Sequence, residues 1–148
     1  MHKKILLPID NSEPSLRAGE YAISAADIDG ADIIVLHVID THYLNSLPQR
    51  DLREKLDKEF RLEGKEAVEK FEKKIEDEKC SGKCKNVKLI TMIKEGKPEE
   101  VILEVAKDEG VDQIIMGKSS KEGLERVVVG STAEKVVRGT EVPIIIIP

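Results

Sequence analysis

Five short aliphatic runs alternate along the chain with longer segments whose apolar residues recur at helical spacing. The runs at residues 33–38 and 144–147 are apolar at almost every position, which is typical of strands covered by helices on both faces. Strands that alternate with helices indicate crossover units and a parallel sheet. We therefore predict an α/β three-layer sandwich, an open five-stranded parallel sheet with four helices on its two faces. The predicted strands are residues 5–7, 33–38, 87–93, 113–116 and 144–147.

Start and stop signals place the four helices between these runs. The capping candidates Asn11 and Ser12 precede Pro14, which suits the first turn of a helix, and Gly30 ends that helix. Gly64 interrupts the long second helix, where we expect a kink. The second, third and fourth helices are predicted at about residues 49–79, 98–110 and 130–139, with mobile loops at 42–48 and 80–86. The chain has 148 residues and no linker, so we predict one domain, 1–148.

Composition and charge exclude several classes of protein. No apolar run approaches the roughly 18 residues of a membrane-spanning helix, and the apolar stretch near the N-terminus is too short for a signal peptide, so we expect a cytoplasmic protein. The net charge of −5 argues against a nucleic-acid binder held by phosphate contacts alone. Charged residues reach 36%, mostly Lys and Glu, which hints at a heat-tolerant source. Cys80 and Cys84 are interpreted as reduced surface thiols, with a disulfide as the alternative.

The segment at residues 116–123, followed by 129–132, has the composition of an anion site. Its glycines let backbone N–H groups approach a ligand closely, and Lys118 and Lys121 add positive charge. Ser131 and Thr132 open the last helix, where unpaired N–H groups and the helix dipole favour a phosphate. A plain loop with a helix cap is the alternative interpretation. The Walker A pattern does not fit, because its leading glycine would fall at Asp112.

Two further polar residues lie at or inside strands. Asp10 can orient a ribose or a metal ion, or cap the first helix together with Asn11 and Ser12, and the two roles are compatible. His37 lies inside an apolar strand, and we interpret it as a hydrogen-bonded interior histidine rather than a catalyst. No nucleophile elbow, zinc-ligand helix or kinase signature is present, so no catalytic residue is assigned.

Several ordered motifs resemble the universal stress protein family, and its ATP-binding branch in particular. The family pattern of glycine, two residues, glycine, nine residues, then glycine with Ser or Thr matches Gly117, position 120, Gly130 and Ser131. Residues 4–12, 36–40 and 142–147 also look like family hallmarks. The resemblance implies a parallel sheet of order 3-2-1-4-5, a homodimer, and ATP bound with Mg²⁺ or Mn²⁺ as part of a stress-response switch or slow ATPase. Because no catalytic base is visible, we expect at most a slow ATPase.

The resemblance also implies the residues of the nucleotide site. Pro8, Asp10 and Val38 would line the adenine and ribose part of the pocket. The phosphates would be wrapped by the loop Gly117, Lys118, Ser119, Ser120, Lys121, Glu122 and Gly123, and the triphosphate site would be closed by Gly130, Ser131, Thr132 and Ala133. No metal ligand is assigned.

Ser120 departs from the family pattern, because the second glycine of the motif should stand there. If that position needs φ > 0, a residue with a side chain costs about 1–2 kcal/mol. The Ser120 hydroxyl can instead donate a hydrogen bond to a phosphate. The alternative function is therefore a dimeric interaction module of the same family that binds no nucleotide.

The last strand predicts the oligomeric state. In the implied order, residues 144–147 form an edge strand of four isoleucines, and a bare apolar edge promotes aggregation. Pairing with the same strand of a second copy would bury it through a two-fold contact. We therefore predict a homodimer through the C-terminal edge strand.

Overall fold

The sheet has five parallel strands in the order β3-β2-β1-β4-β5. The computed structural model describes residues 3–118 and 129–148. Both the predicted α/β class and the order 3-2-1-4-5 are confirmed. The strands are β1 (Lys4–Pro8), β2 (Asp32–Asp40), β3 (Leu89–Gly96), β4 (Gln113–Gly117) and β5 (Ile144–Ile147).

Helices cover both faces of this sheet and divide its side chains into two cores. One core lies under α1 (Glu13–Asp29) and α3 (Arg50–Cys80) and includes Ile5 and Leu7 of β1. Cys84 is also buried in this core, so the prediction that it lies at the surface is wrong, whereas Cys80 is exposed and both thiols are free. The other lies under α4 (Pro98–Asp108) and α5 (Ser131–Gly139) and includes Leu6. Because successive side chains of a strand point to opposite faces, β1 serves both cores, as a strand buried on both sides requires.

A short fifth helix, α2 (Thr41–Ser46), lies where the sequence predicted a loop, so the described part of the chain has one helix more than the four expected. Its N-cap is Asp40, whose Oδ1 accepts a hydrogen bond from the Tyr43 backbone N–H at 2.9 Å. Leu44 is buried, and the ring of Tyr43 stacks on Phe60 of α3 with centroids 6.2 Å apart. A cap, a buried leucine and one ring contact with a distant residue explain this short helix, which has no apolar repeat of its own.

The third strand begins and ends later than its apolar pattern suggested. β3 spans Leu89–Gly96, and its second half carries exposed Lys94 and Glu95. β3 is an edge strand, so charged side chains can lie on it at no desolvation cost. The predicted strand at 87–93 therefore had the right position but stopped three residues short.

The long helix α3 runs through Gly64 without interruption. Gly64 is buried, and a Cβ placed there would lie 2.8 Å from Nε2 of His37. Gly64 therefore allows α3 to approach β2 closely. In the described part of the chain, none of the helices is long and apolar enough to cross a bilayer.

Candidate functional site

The strand order reverses at β1, which has β2 on one side and β4 on the other. β1 pairs with β2 at five positions but with β4 at only two, Ile5 with Gln113 and Leu6 with Ile114. Past Leu6 the described residues of β1 and β4 are no longer paired. The region between the carboxyl ends of these two strands is called the crevice below. Open α/β sheets bind their ligands at this kind of reversal point.

Asp10 lies at the β1 side of the crevice and organises the turn into α1. Its backbone N–H donates to Ser15 Oγ at 2.9 Å, and its Oδ1 accepts from the Ser12 backbone N–H at 2.8 Å. Ser12 is the N-cap of α1 and accepts a hydrogen bond from the Ser15 N–H at 3.3 Å. Ser12 is confirmed as the cap and Asp10 supports the turn, whereas the other predicted capping residue, Asn11, instead donates from its Nδ2 to the Glu63 carbonyl at 3.4 Å. Among the described residues, Oδ2 of Asp10 has no hydrogen-bond donor, so this oxygen is available to a ligand.

Gly117 ends β4 against the start of α1. A Cβ on Gly117 would lie 2.8 Å from the carbonyl carbon of Pro14 and 2.8 Å from the backbone nitrogen of Ser15. Backbone atoms cannot swing aside as a flexible side chain can, so only glycine fits at this contact. The loop after β1 and the end of β4 therefore lie side by side, as predicted for Asp10 and Gly117.

Two backbone hydrogen bonds of Lys118 fix the path of the chain at the end of β4. The N–H of Lys118 donates to the Ile147 carbonyl at 2.7 Å, and its carbonyl accepts from the Gly130 N–H at 2.7 Å. Gly130 thus returns to the point where the chain leaves β4, which brings the start of α5 to the crevice. The predicted phosphate-loop residues Ser119, Ser120, Lys121, Glu122 and Gly123 lie outside the described residues.

The first turn of α5 carries unpaired donors. Gly130 is its N-cap, without a side-chain cap, and the first intrahelical bond is from the Glu134 N–H to the Gly130 carbonyl at 2.9 Å. Within the described part of the chain, the backbone N–H groups of Ser131, Thr132 and Ala133 therefore have no acceptor. Ser131 is exposed, Thr132 is half-buried, and the Ala133 side chain is buried in the core. The hydroxyl groups of Ser131 and Thr132 belong to the same helical turn as the unpaired amides.

An apolar surface lies beside these donors, on the α4/α5 side of the sheet. Val38 is half-buried there, and Met116 is buried in the same core. Strand alternation puts Pro8 on this side too, because Leu6 points to it. Pro8 and Val38 were predicted site residues. Met116 began the predicted anion segment but was not predicted to lie with Pro8 and Val38, although strand alternation places it on their side of the sheet.

His37 points to the opposite face, away from this surface. It is buried, and its Nδ1 lies 2.9 Å from the Ile9 carbonyl oxygen. The prediction of a hydrogen-bonded interior histidine is confirmed. The described residues contain no group of three His, Cys, Asp or Glu side chains suited to hold a metal ion.

A second feature that the sequence analysis missed joins α4 to α5. Glu99, in the first turn of α4, has a side chain only 11% exposed, and its Oε1 lies 3.5 Å from Lys135 Nζ and 3.6 Å from Lys97 Nζ. Burial is the largest influence on the pKa of Glu99 and acts to raise it. The backbone N–H of Glu99 and the two ammonium groups together outweigh burial and hold that pKa below its ordinary value of 4.5. Glu99 is therefore ionised at neutral pH, and the cluster carries a net positive charge.

Comparison with known proteins identifies the family. The model described as "Universal stress protein family" matches residues 1–148. The chain is 33% identical over 147 residues to universal stress protein MJ0531 of Methanocaldococcus jannaschii, which covers 99% of this chain and 82% of that protein. The solved structure of MJ0577, a universal stress protein of the same organism, is 32% identical, with a TM-score of 0.79 over 99% of this chain and 96% of that one.

A more distant structure shares the fold. The universal stress protein of Archaeoglobus fulgidus, solved in complex with dAMP, is 20% identical, with a TM-score of 0.66 over 100% of this chain and 98% of that one. The sheet order, the family model matched along the whole sequence and the two relatives from M. jannaschii lead to one conclusion. This chain belongs to the universal stress protein family.

Proposed function

We propose that this chain binds an adenine nucleotide, ATP, in the crevice between β1 and β4, and acts as a stress-response switch or slow ATPase. One observation carries the proposal above the others. The uncapped first turn of α5 is held at the carboxyl end of β4 by the 2.7 Å hydrogen bond between Gly130 and Lys118. Unpaired amides at a helix N-terminus, beside a sheet's reversal point, suit the phosphates of a nucleotide.

The rest of the nucleotide is matched by the other side of the crevice. Val38, half-buried beside the buried Pro8 and Met116, offers apolar contact area to an adenine ring. Oδ2 of Asp10 can accept a hydrogen bond from a ribose hydroxyl or contribute one oxygen to a Mg²⁺ or Mn²⁺ ion held mainly by the phosphates. The dAMP complex of the A. fulgidus family member supports the adenine class of ligand.

Hydrolysis, where it occurs, would depend on positioning. The chain's own contributions are the amides and hydroxyls of Ser131 and Thr132, which would orient the phosphates and neutralise part of their charge. A divalent ion would add positive charge at the phosphates. Lys118, Ser119, Ser120, Lys121, Glu122 and Gly123 are proposed as the phosphate loop on the strength of the motif. Slow turnover is expected of a site that acts by positioning alone.

Calorimetry with Mg-ATP on protein freed of bound ligand tests the proposal, together with mass spectrometry of any nucleotide that survives purification. The informative variant is Ser131→Glu, because a carboxylate at the first position of α5 suits the helix dipole but repels phosphate. We expect it to lose at least about tenfold in ATP affinity, which corresponds to about 1.4 kcal/mol. Ser131→Gln, of equal size and no charge, is the matched control. No binding by the unaltered chain at millimolar ATP would overturn the proposal.

The second candidate function is a dimeric interaction module without nucleotide, and Ser120 at the motif's second glycine favours it. Ser120→Gly separates the two functions. A sharp rise in ATP affinity would indicate that the serine disables the site, whereas an unchanged affinity would favour the nucleotide-binding function. In either case we propose a homodimer through β5.

A further inference from the structure

The Glu99 cluster, formed by Lys97, Glu99 and Lys135, joins the first turn of α4 to the second turn of α5 on one side of the sheet. Both ammonium groups lie within 4 Å of the same carboxylate oxygen. Their side chains are 36% and 55% exposed, for Lys97 and Lys135, whereas that of Glu99 is 11% exposed. The buried carboxylate thus anchors two cations whose heads remain in contact with solvent.

Lys135 lies close to the proposed phosphate site by helix geometry. It follows Ser131 by four residues in α5, so both lie on one face, one turn apart. Side chains of a helix lean towards its N-terminus, and the four-carbon stem of lysine spans about one helical turn of 5.4 Å. The Lys135 ammonium can therefore reach the level of the unpaired amides, where the outer phosphates of a polyphosphate would lie.

We infer that the Glu99 cluster is a specificity-determining element that favours a nucleoside triphosphate over the monophosphate, with Glu99 holding Lys97 and Lys135 and limiting their combined charge. This inference rests on the proposed function. The two phosphates that distinguish ATP from AMP add negative charge on the side of α5, where Lys135 lies. The negative charge of Glu99 partly cancels the positive charges of Lys97 and Lys135, and so sets how strongly the cluster attracts the added phosphates.

Binding of ATP and AMP to the full-length chain, its Glu99→Gln variant and its Lys135→Met variant tests the inference. Lys135→Met should weaken ATP binding by about threefold to tenfold and change AMP binding by less than about twofold, as for a partly exposed charge. Glu99→Gln removes the competing negative charge and should raise the ratio of ATP to AMP affinity by about threefold. It should also steepen the dependence of ATP affinity on salt. Glu100→Gln, the exposed neighbour on α4, and Lys107→Met, near the far end of α4, are the matched controls.

The outcomes separate the two proposals. If the unaltered chain binds neither nucleotide, the proposed function and this inference both fail. If it binds both, and neither variant changes the ratio of ATP to AMP affinity, only this inference is overturned. A purely structural tie between α4 and α5 would lower both affinities by the same factor. If Glu99→Gln unfolds, Lys135→Met still tests the inference, because the half-exposed Lys135 side chain can be replaced without disturbing the core.

Discussion

At the scale of single residues, two glycines of this protein are required by close contacts. Gly117 lies against the backbone of Pro14 and Ser15, and Gly64 lies against the imidazole of His37. Neither has the positive φ found at Gly30, Gly82, Gly96 and Gly110. Gly117 lets the end of β4 approach α1 at the candidate site, and Gly64 lets α3 approach β2.

Gly64→Ala should destabilise the fold although alanine is the better helix former. The added Cβ overlaps the ring of His37, which its hydrogen bond to Ile9 holds in place, so we expect a loss of about 1–3 kcal/mol. Urea unfolding followed by circular dichroism measures it, with the exposed Lys65→Ala as control. In a His37→Ala background, where the ring is absent, Gly64→Ala should instead stabilise by up to about 1 kcal/mol. Equal losses in both backgrounds would show that the ring is not the cause.

At the scale of elements, the two edges of the sheet are built differently. β3 carries exposed Lys94 and Glu95, and Glu95 pairs with Arg61 of α3 at 2.7 Å. β5 has four half-buried isoleucines, two packed into each core, and no charged side chain. Charged side chains protect an edge from unwanted pairing, so β3 is the protected edge and β5 the edge suited to a partner.

Ile146→Pro should weaken the proposed homodimer. The Ile114 N–H donates to the Pro143 carbonyl and the Lys118 N–H to the Ile147 carbonyl, so in a parallel ladder the backbone groups of Ile146 point to the open edge. Proline there removes one outward donor and no bond to β4. We expect the dimer to weaken by about tenfold, measured by light scattering across protein concentrations.

Thr91→Pro on β3 is the matched control for this prediction. Thr91 also points its N–H outward, because the Ile33 N–H donates to the Lys88 carbonyl and the outward positions alternate from there. This variant should leave the oligomeric state unchanged. An unaltered chain that is monomeric at micromolar concentration, or an Ile146→Pro dimer as strong as the original, would contradict pairing through β5.

At the scale of the whole molecule, one sheet is shared by two cores, and we propose on this ground that the chain is a single unit of folding. β1 contributes Ile5 and Leu7 to the core under α1 and α3, and Leu6 to the core under α4 and α5. If the strands that support one core unfold, the side chains of the other core become exposed to solvent as well. The proposed single domain, 1–148, follows from this shared sheet.

We therefore expect one cooperative unfolding transition. Circular dichroism, which follows all helices, and the fluorescence of Tyr21 and Tyr43, on the α1 and α2 helices, should give the same urea midpoint at a fixed protein concentration. A saturating ligand should shift both probes together, by about 2.7 kcal/mol at a hundredfold excess over its dissociation constant. Two separate midpoints would indicate two independent units.

The sequence determined the elements and most of the residues at the crevice. Runs apolar on both faces predict buried strands, and caps and glycines mark helix ends, because these signals act between residues close together in the chain. The strand order and the site residues Pro8, Asp10, Val38, Gly117 and Gly130 came from ordered motifs that resemble one family. The extra helix α2 carries no periodic signal, so the sequence alone predicts a loop there.

Only the tertiary structure decided the contacts between distant parts of the chain. The approach of Gly64 to His37, the Glu99 cluster and the bond from Gly130 to Lys118 each depend on how the helices pack on the sheet. No spacing in the sequence signals them, since their partners lie on different elements. Apolar periodicity determines which face of each helix is buried. The position of the helix on the sheet depends instead on how the side chains of the two elements pack together. That packing places the first turn of α5 at the crevice.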